Sequence, residues 1–214
     1  MLPITKAMVY SKSQSMPRLV VGGLLALVVL AGLVVLLGTM FKPYTFRGMV
    51  LQSPQPATNF TLTSHMGQPI SLTDFKGQLV LLYFGYTTCP DVCPTTLAEL
   101  KQARQALGQR SDEVQVLMVT VDPERDTVPV LADYMTHFDP SFIGLTGTSE
   151  EIAQVATYYG IFYERKESES ALGYLVDHTA TVMAIDRDGY LRVVYPYGAP
   201  SEDIASDLDY MLKR

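Results

Sequence analysis

Residues 19–38 run for twenty positions through Leu, Val, Ala and Gly alone, with no charge and no proline. A segment this apolar needs all its backbone hydrogen bonds made internally, and at about 1.5 Å per residue a helix of that length covers the roughly 30 Å hydrocarbon core of a bilayer. Arg18 and Lys42 bracket it, placed to meet the two interfaces. The run is longer than a secretory signal core, and Thr39-Met40-Phe41-Lys42-Pro43 offers no small-residue cleavage site. It therefore reads as an uncleaved anchor rather than a cleaved signal or a buried core helix. Lys6, Lys12, Arg18 and the amino terminus precede it, against Lys42 and Arg47 after it. The basic excess predicts a cytoplasmic tail over 1–18, a transmembrane anchor over 19–39, and the remainder on the far side of a bacterial inner membrane, in the periplasm. Pro43, Pro54 and Pro56 mark residues 40–56 as a tether, which puts a single folded domain over 57–214.

The charge pattern narrows the domain's partners. All 22 acidic residues lie beyond position 73, and residues 48–214 carry 11 basic against 22 acidic side chains, a formal −11. A surface of that sign repels phosphate and excludes nucleic acid as a partner. It would attract a basic donor or a cation, although a solvated acidic face accounts for it equally well.

Within the domain, strand-like and helix-like patterns alternate. Residues 79–86 are continuously apolar and aromatic, as in a strand buried on both faces. Residues 94–107 open on Pro94 and place Leu97, Leu100, Ala103 and Leu107 on one helical face. A second buried strand follows over 114–121, a helix over 128–137, a short strand over 142–145, and a helix over 149–159 capped by Ser149. Residues 181–186 and 191–195 flank Arg187-Asp188-Gly189, a hairpin turn, and Ser201 with Glu202 and Asp203 caps a last helix. This order predicts an α/β fold of the thioredoxin type, a mixed sheet with helices on both faces, preceded by one amino-terminal transmembrane helix.

The chain has two cysteines, at Cys89 and Cys93 of Cys89-Pro90-Asp91-Val92-Cys93-Pro94, between the first buried strand and the first helix. A helix N-terminus presents free amides and a positive dipole end, which favour thiolate. Three intervening residues put the sulfurs about one turn apart, close enough to form a disulfide or to share a metal ion. Two soft thiolates select copper(I) or zinc, with histidine the expected third ligand. Of the three histidines, His65 sits in a polar turn and His137 ends a helix, where it complements the dipole. His178 precedes the hairpin strand, where a thioredoxin-type sheet brings a loop opposite the cysteine turn. No fourth ligand for a closed zinc site is evident, which favours copper.

Four stretches together, Gly85-Tyr86-Thr87-Thr88-Cys89-Pro90-Asp91-Val92-Cys93-Pro94, Val121-Asp122-Pro123-Glu124-Arg125-Asp126-Thr127, Gly144-Leu145-Thr146-Gly147 and Leu175-Val176-Asp177-His178-Thr179, resemble the SCO/SenC family over about 57–212. The resemblance implies a membrane-anchored copper chaperone of thioredoxin fold that matures the copper A centre of cytochrome c oxidase, with Cys89, Cys93 and His178 as copper ligands. It implies a copper A subunit as partner, and an upstream copper donor or thiol reductase. Asp122, Arg125 and Asp126 match a family signature read as a structural loop salt bridge, with Asp177 hydrogen-bonding nearby. The polar segment 164–173 reads as a mobile loop that lets His178 dissociate.

Three other functions compete. An exported thiol–disulfide oxidoreductase would use either Cys89 or Cys93 as the attacking thiolate and the other to resolve; the three-residue spacing and the absence of proline in Thr179-Ala180-Thr181 weaken a general reductase but leave room for one dedicated to a partner's copper-site dithiol. A peroxidase shares the fold but fits the second proline-flanked cysteine poorly. A purely structural anchor leaves the cysteine turn without a purpose.

Overall fold

The computed structural model describes residues 18–40, 43–168 and 173–213. The chain divides into two compact units, one ending at Tyr44 and one spanning Thr45–Arg214. The first contains helix α1 (Arg18–Met40), 23 residues long, and the side chains of its segment Val21–Gly38 are exposed throughout. Among the described residues it is the one helix long and apolar enough to cross a membrane.

The second unit begins with the two-residue strand β1 (Met49–Val50), followed by β2 (Thr61–Ser64) and β3 (Pro69–Ser71). Then come β4 (Leu79–Gly85), α2 (Val92–Ala106), β5 (Val114–Thr120), α3 (Val128–Thr136), β6 (Ile143–Thr146) and α4 (Ser149–Tyr158). The remaining elements are β7 (Tyr163–Glu167), β8 (Tyr174–His178), β9 (Val182–Ile185), β10 (Leu191–Tyr195) and α5 (Ser201–Leu212). Eight strands form one sheet in the order β1-β10-β9-β4-β5-β6-β2-β3. The pairs β4–β5 and β5–β6 are parallel and the others antiparallel. Strands β7 and β8 stand apart as a two-stranded antiparallel ribbon.

Every residue of β4 is buried, as its unbroken apolar pattern requires. Its alternate side chains separate the two faces. Tyr83 points to the side of α2, whose Cys93 Sγ lies beside the Tyr83 ring over Gly85. Phe84 points to the other side and meets Tyr159, just beyond α4, with ring centroids 5.9 Å apart. In register with these, Gly144 of β6 faces Leu131 and Met135 of α3 on the α2 side, and α5 packs against α2. The mixed sheet with helices on both faces is thus the fold the alternating pattern predicts.

Three local expectations change. Helix α4 is capped by Thr148, not Ser149: the Thr148 hydroxyl accepts from the Glu151 amide while the Glu151 carboxylate accepts from the Thr148 amide, a reciprocal capping box. Helix α5 has Pro200 rather than Ser201 at its cap position, and the Ser201 amide donates to Glu99 of α2. The expected tether is largely folded. Met49 and Val50 pair with β10, Phe46 stacks edge-on with Tyr210 at 5.4 Å, and the amides of Arg47 and Gly48 donate to the fully buried carboxylate of Asp207. The domain therefore begins at Thr45 rather than Ala57, because a buried acceptor in the last helix holds two amides some 160 residues earlier in the chain. The Tyr195 hydroxyl donates to the same carboxylate.

Removing that acceptor leaves buried donors unpaired, which costs about 1–3 kcal/mol. Asp207→Ala in residues 45–214 is expected to lower the unfolding free energy obtained from urea titration by that amount and to increase hydrogen exchange at Arg47 and Gly48. Unchanged exchange at both amides would show that Asp207 does not hold the leading segment.

Candidate metal centre

The cysteine turn sits where β4 ends and α2 begins. Helix α2 starts at Val92, two residues earlier than the proline signal suggests; Pro94 is tolerated because the first turn has no intrahelical acceptor for its missing N–H. Cys93 is thereby inside the helix, and its amide donates to Cys89 Sγ at 3.3 Å, so a free amide of the helix N-terminus is spent on sulfur. Cys93 is fully buried, while Cys89 keeps 9% of its surface. Both are free thiols.

The third group arrives on β8. His178, its last residue, places Nε2 at 3.4 Å from Cys93 Sγ, and Nδ1 lies 3.3 Å from the Thr179 carbonyl. A proton on Nδ1 donated to that carbonyl leaves the Nε2 lone pair facing the sulfurs. The Tyr86 and Tyr83 rings stand edge-on to the imidazole at 5.8 and 6.3 Å. The two sulfurs and an imidazole nitrogen all lie within 4.8 Å of one another. At metal–ligand bonds of roughly 2.0–2.3 Å, three coplanar donors would stand roughly 3.5–4 Å apart, so a small closure would bring all three onto one ion.

The pair is electrostatically asymmetric. The Cys93 thiol, hydrogen-bonded to Cys89, draws the Cys89 pKa down to about 4; burial opposes this, and His178 and the amides of Asp91 and Cys93 assist. Cys93 is driven far up, first by that same bond to the Cys89 sulfur and then by burial. The two sulfurs thus share one proton, held on Cys93. Burial also pushes the Tyr86 phenol up to about 12.

A loop between β5 and α3 braces both sides of this site. Asp126, fully buried, accepts from the Thr87 amide at 3.0 Å, the Thr87 hydroxyl at 2.6 Å and the Thr120 hydroxyl at 2.6 Å, which fixes the approach to Cys89. Burial raises its pKa. Asp122 and Arg125 form the expected salt bridge. Asp177 takes no part: it is exposed, and strand alternation puts it on the face of β8 opposite His178. The segment read as a mobile loop is in part strand β7, paired along its length with β8; positions 169–172 fall outside the described residues.

The other two histidines have ordinary roles. His65 accepts from the Gly144 amide through Nδ1, and His137 has Nδ1 at 3.0 Å from the Asp133 carbonyl at the end of α3. Sequence reasoning assigned no role to Tyr83 or Tyr86. The signal was present, since period-two alternation from the α2-facing Gly85 puts Tyr83 beside the cysteine turn. Gly85 itself is required there: a Cβ would stand 2.7 Å from the Tyr83 ring and 3.1 Å from Cys93 Sγ.

A thiolate already formed near neutrality predicts a particular reactivity. Alkylation of Cys89 by iodoacetamide in the reduced protein should be nearly independent of pH between 6 and 8, whereas an ordinary thiol loses about tenfold per pH unit below its pKa near 8.5. Cys93→Ala should restore the ordinary slope. A steep profile in the unsubstituted protein would mean that Cys93 does not donate to Cys89.

Comparison with known proteins bears on this cluster. The family profile described as SCO1/SenC matches residues 50–213. Protein SCO2 homolog, mitochondrial, of Bos taurus is 40% identical over 152 residues, 70% of this chain and 57% of that protein, so the match spans a little over half of the mitochondrial relative. A SCO2-like protein of Rickettsia felis is 36% identical over 146 residues, 67% of this chain and 71% of that protein. Among solved structures, Bradyrhizobium japonicum ScoI with copper bound superposes with a TM-score of 0.68 and 37% identity, covering 74% of this chain and all of that one. Apo Sco1 from Thermus thermophilus gives 0.71 and 40%, covering 79% and 98%.

Proposed function

Because this chain belongs to the SCO1/SenC family, we propose that it is a membrane-anchored copper protein that holds copper(I) through Cys89, Cys93 and His178 and delivers it to the copper A subunit of cytochrome c oxidase. The observation that carries the reading is the convergence of two free thiols and an imidazole, from elements 85 residues apart in sequence, to within 4.8 Å. Sulfur and imidazole donors suit copper(I), and the relatives include ScoI with copper bound. The family is described as one of cytochrome c oxidase assembly proteins. Helix α1 supports the anchor, and the basic residues before it support an amino terminus in the cytoplasm with the domain in the periplasm of a bacterial inner membrane.

In this reading copper is cargo. Loading displaces the one proton that Cys93 retains, so uptake releases a proton. Cys89, the more accessible ligand, and His178, on the ribbon outside the main sheet, are the groups an incoming partner reaches. Transfer is ligand exchange: the two copper–sulfur bonds to this chain are replaced by bonds to partner thiolates, the imidazole is released neutral, copper stays in the +1 state, and one proton from the partner's thiols returns to Cys93 while any other passes to solvent.

The same low-pKa Cys89 favours a second reading, reduction of a partner's disulfide with Cys89 attacking and Cys93 resolving. One titration separates them. The full chain in detergent, reduced and anaerobic, is titrated with copper(I) against a chromogenic chelator. One equivalent should bind, Cys89→Ser and Cys93→Ser should abolish competition, and His178→Ala should keep the fold yet bind more weakly by at least the roughly 10–100-fold that losing an outer-shell partner costs. Failure to compete, with rapid turnover of a disulfide substrate, would replace delivery by reduction.

A further inference from the structure

Strand β8 brings His178 to the cysteines, yet β7 and β8 share no ladder with the eight-stranded sheet. A two-stranded ribbon is marginal by itself, so its position over the cysteine turn depends on how it is fastened. Besides the short link from His178 into β9, side chains fasten the ribbon at the Tyr174 end of β8. The Tyr174 hydroxyl donates to Asp122 Oδ1 at 2.8 Å, and the Tyr174 carbonyl accepts from Arg125 Nη1 at 3.0 Å. The Tyr174 ring lies 3.6 Å from the Arg125 guanidinium and 3.7 Å from that of Arg165, distances that both cations can satisfy only from opposite faces. Midway along the strand, the Val176 amide donates to the Tyr86 hydroxyl at 3.2 Å.

Asp122 is itself anchored. It is 4% exposed and bridged to Arg125, and its amide donates to the Thr120 hydroxyl, which in turn donates to Asp126, the acceptor that holds Thr87 before the cysteine turn. A continuous hydrogen-bonded path thus runs from the cysteine side to Tyr174. Tyr174, Val176 and His178 share one face of β8 by strand alternation, with His178 about 13 Å beyond Tyr174, at the end that continues through 179–181 into β9. That short link holds the His178 end to the main sheet, and the Tyr174 clamp fixes how β8 is turned about the link, which aims the imidazole.

We propose that Tyr174, clamped by Asp122 and the two guanidiniums, is a positioning residue that sets the reach of His178 to the cysteines. The proposal rests on the copper reading for its functional meaning but on metal-free geometry for its content. Tyr174 touches none of the three donors and acts through β8.

The experiment uses the full chain in detergent, reduced and anaerobic, as Tyr174→Phe and Tyr174→Ala, each alone and combined with His178→Ala. Copper(I) affinity is read by chelator competition. Tyr174→Phe, which keeps the ring between the guanidiniums and loses only the bond to Asp122, should weaken binding by up to about tenfold, and Tyr174→Ala by more, as expected for a group that orients a ligand. In the His178→Ala background both effects should vanish, because the group they act through is gone. Equal losses with and without His178 would mean a general structural role and overturn the proposal, as would unchanged affinity in both single variants. A metal-free arm keeps the two readings apart: the nuclear Overhauser contact between the His178 and Tyr86 rings should be present in the unsubstituted protein and lost in Tyr174→Ala. If the unsubstituted protein binds no copper(I), the copper reading fails and this contact alone decides; its persistence in Tyr174→Ala overturns the positioning role.

Discussion

The metal end of this protein depends on one strand being inaccessible to water on both faces. Strand β4 pairs with β5 on one side and β9 on the other, and all seven of its residues are buried. A strand so enclosed cannot slip without moving its whole apolar set, so Gly85 and the turn that follows are delivered to a fixed place. After the turn 86–91, helix α2 begins, and the Cys93 amide in its first turn donates to Cys89 Sγ. Low thiol pKa, close cysteine spacing and the burial of Cys93 all follow from that junction of a rigid strand with a helix N-terminus.

What the sheet fixes on the cysteine side, side chains fix on the histidine side. The ribbon of β7 and β8 has no share in the main ladder, so its placement relies on a few buried polar bonds around Asp122, Arg125 and Tyr174. Such bonds are directional and costly to leave unpaired, which makes them a precise fastening. They hold the end of β8 that lies away from His178, while residues 179–181 tie the His178 end to β9. Two of the three converging donors thus lie beside the core strand and the third on a ribbon fastened from both ends.

The polar pairs away from the site serve assembly in the same manner. Asp207 in the last helix gathers amides from the segment that enters the domain, and Asp126 gathers donors from Thr87 before the cysteines and from Thr120 at the end of β5. Each is a buried carboxylate used as a multiple acceptor, joining parts of the chain that no ladder connects. The acidic balance of the domain is therefore partly internal architecture, and partly a solvated surface.

Local pattern was enough wherever a physical signal is local. The apolar run of α1, the double burial of β4 and β5, the Asp-Gly hairpin and the one-turn spacing of Cys89 and Cys93 were all legible, since each rests on periodicity or composition within a short window. His178 was legible through the position a thioredoxin-type sheet gives to the residue before the hairpin, and through the family resemblance of residues 175–179. The sequence alone did not reveal the early strands β1, only two residues long, and β2 and β3, short and largely polar, or the strand character of 163–167, whose exposed charged residues read as loop. It also left silent the roles of Asp207 and Tyr174, because a buried acceptor or an aromatic clamp is defined by partners 160 and 52 residues away. By itself, then, the sequence determined the longer elements, the apolar helix α1 and the donor chemistry, all consequences of neighbouring residues. Only the tertiary structure decided which histidine meets the cysteines and what holds it there, because that depends on contacts the chain makes after it has folded back on itself.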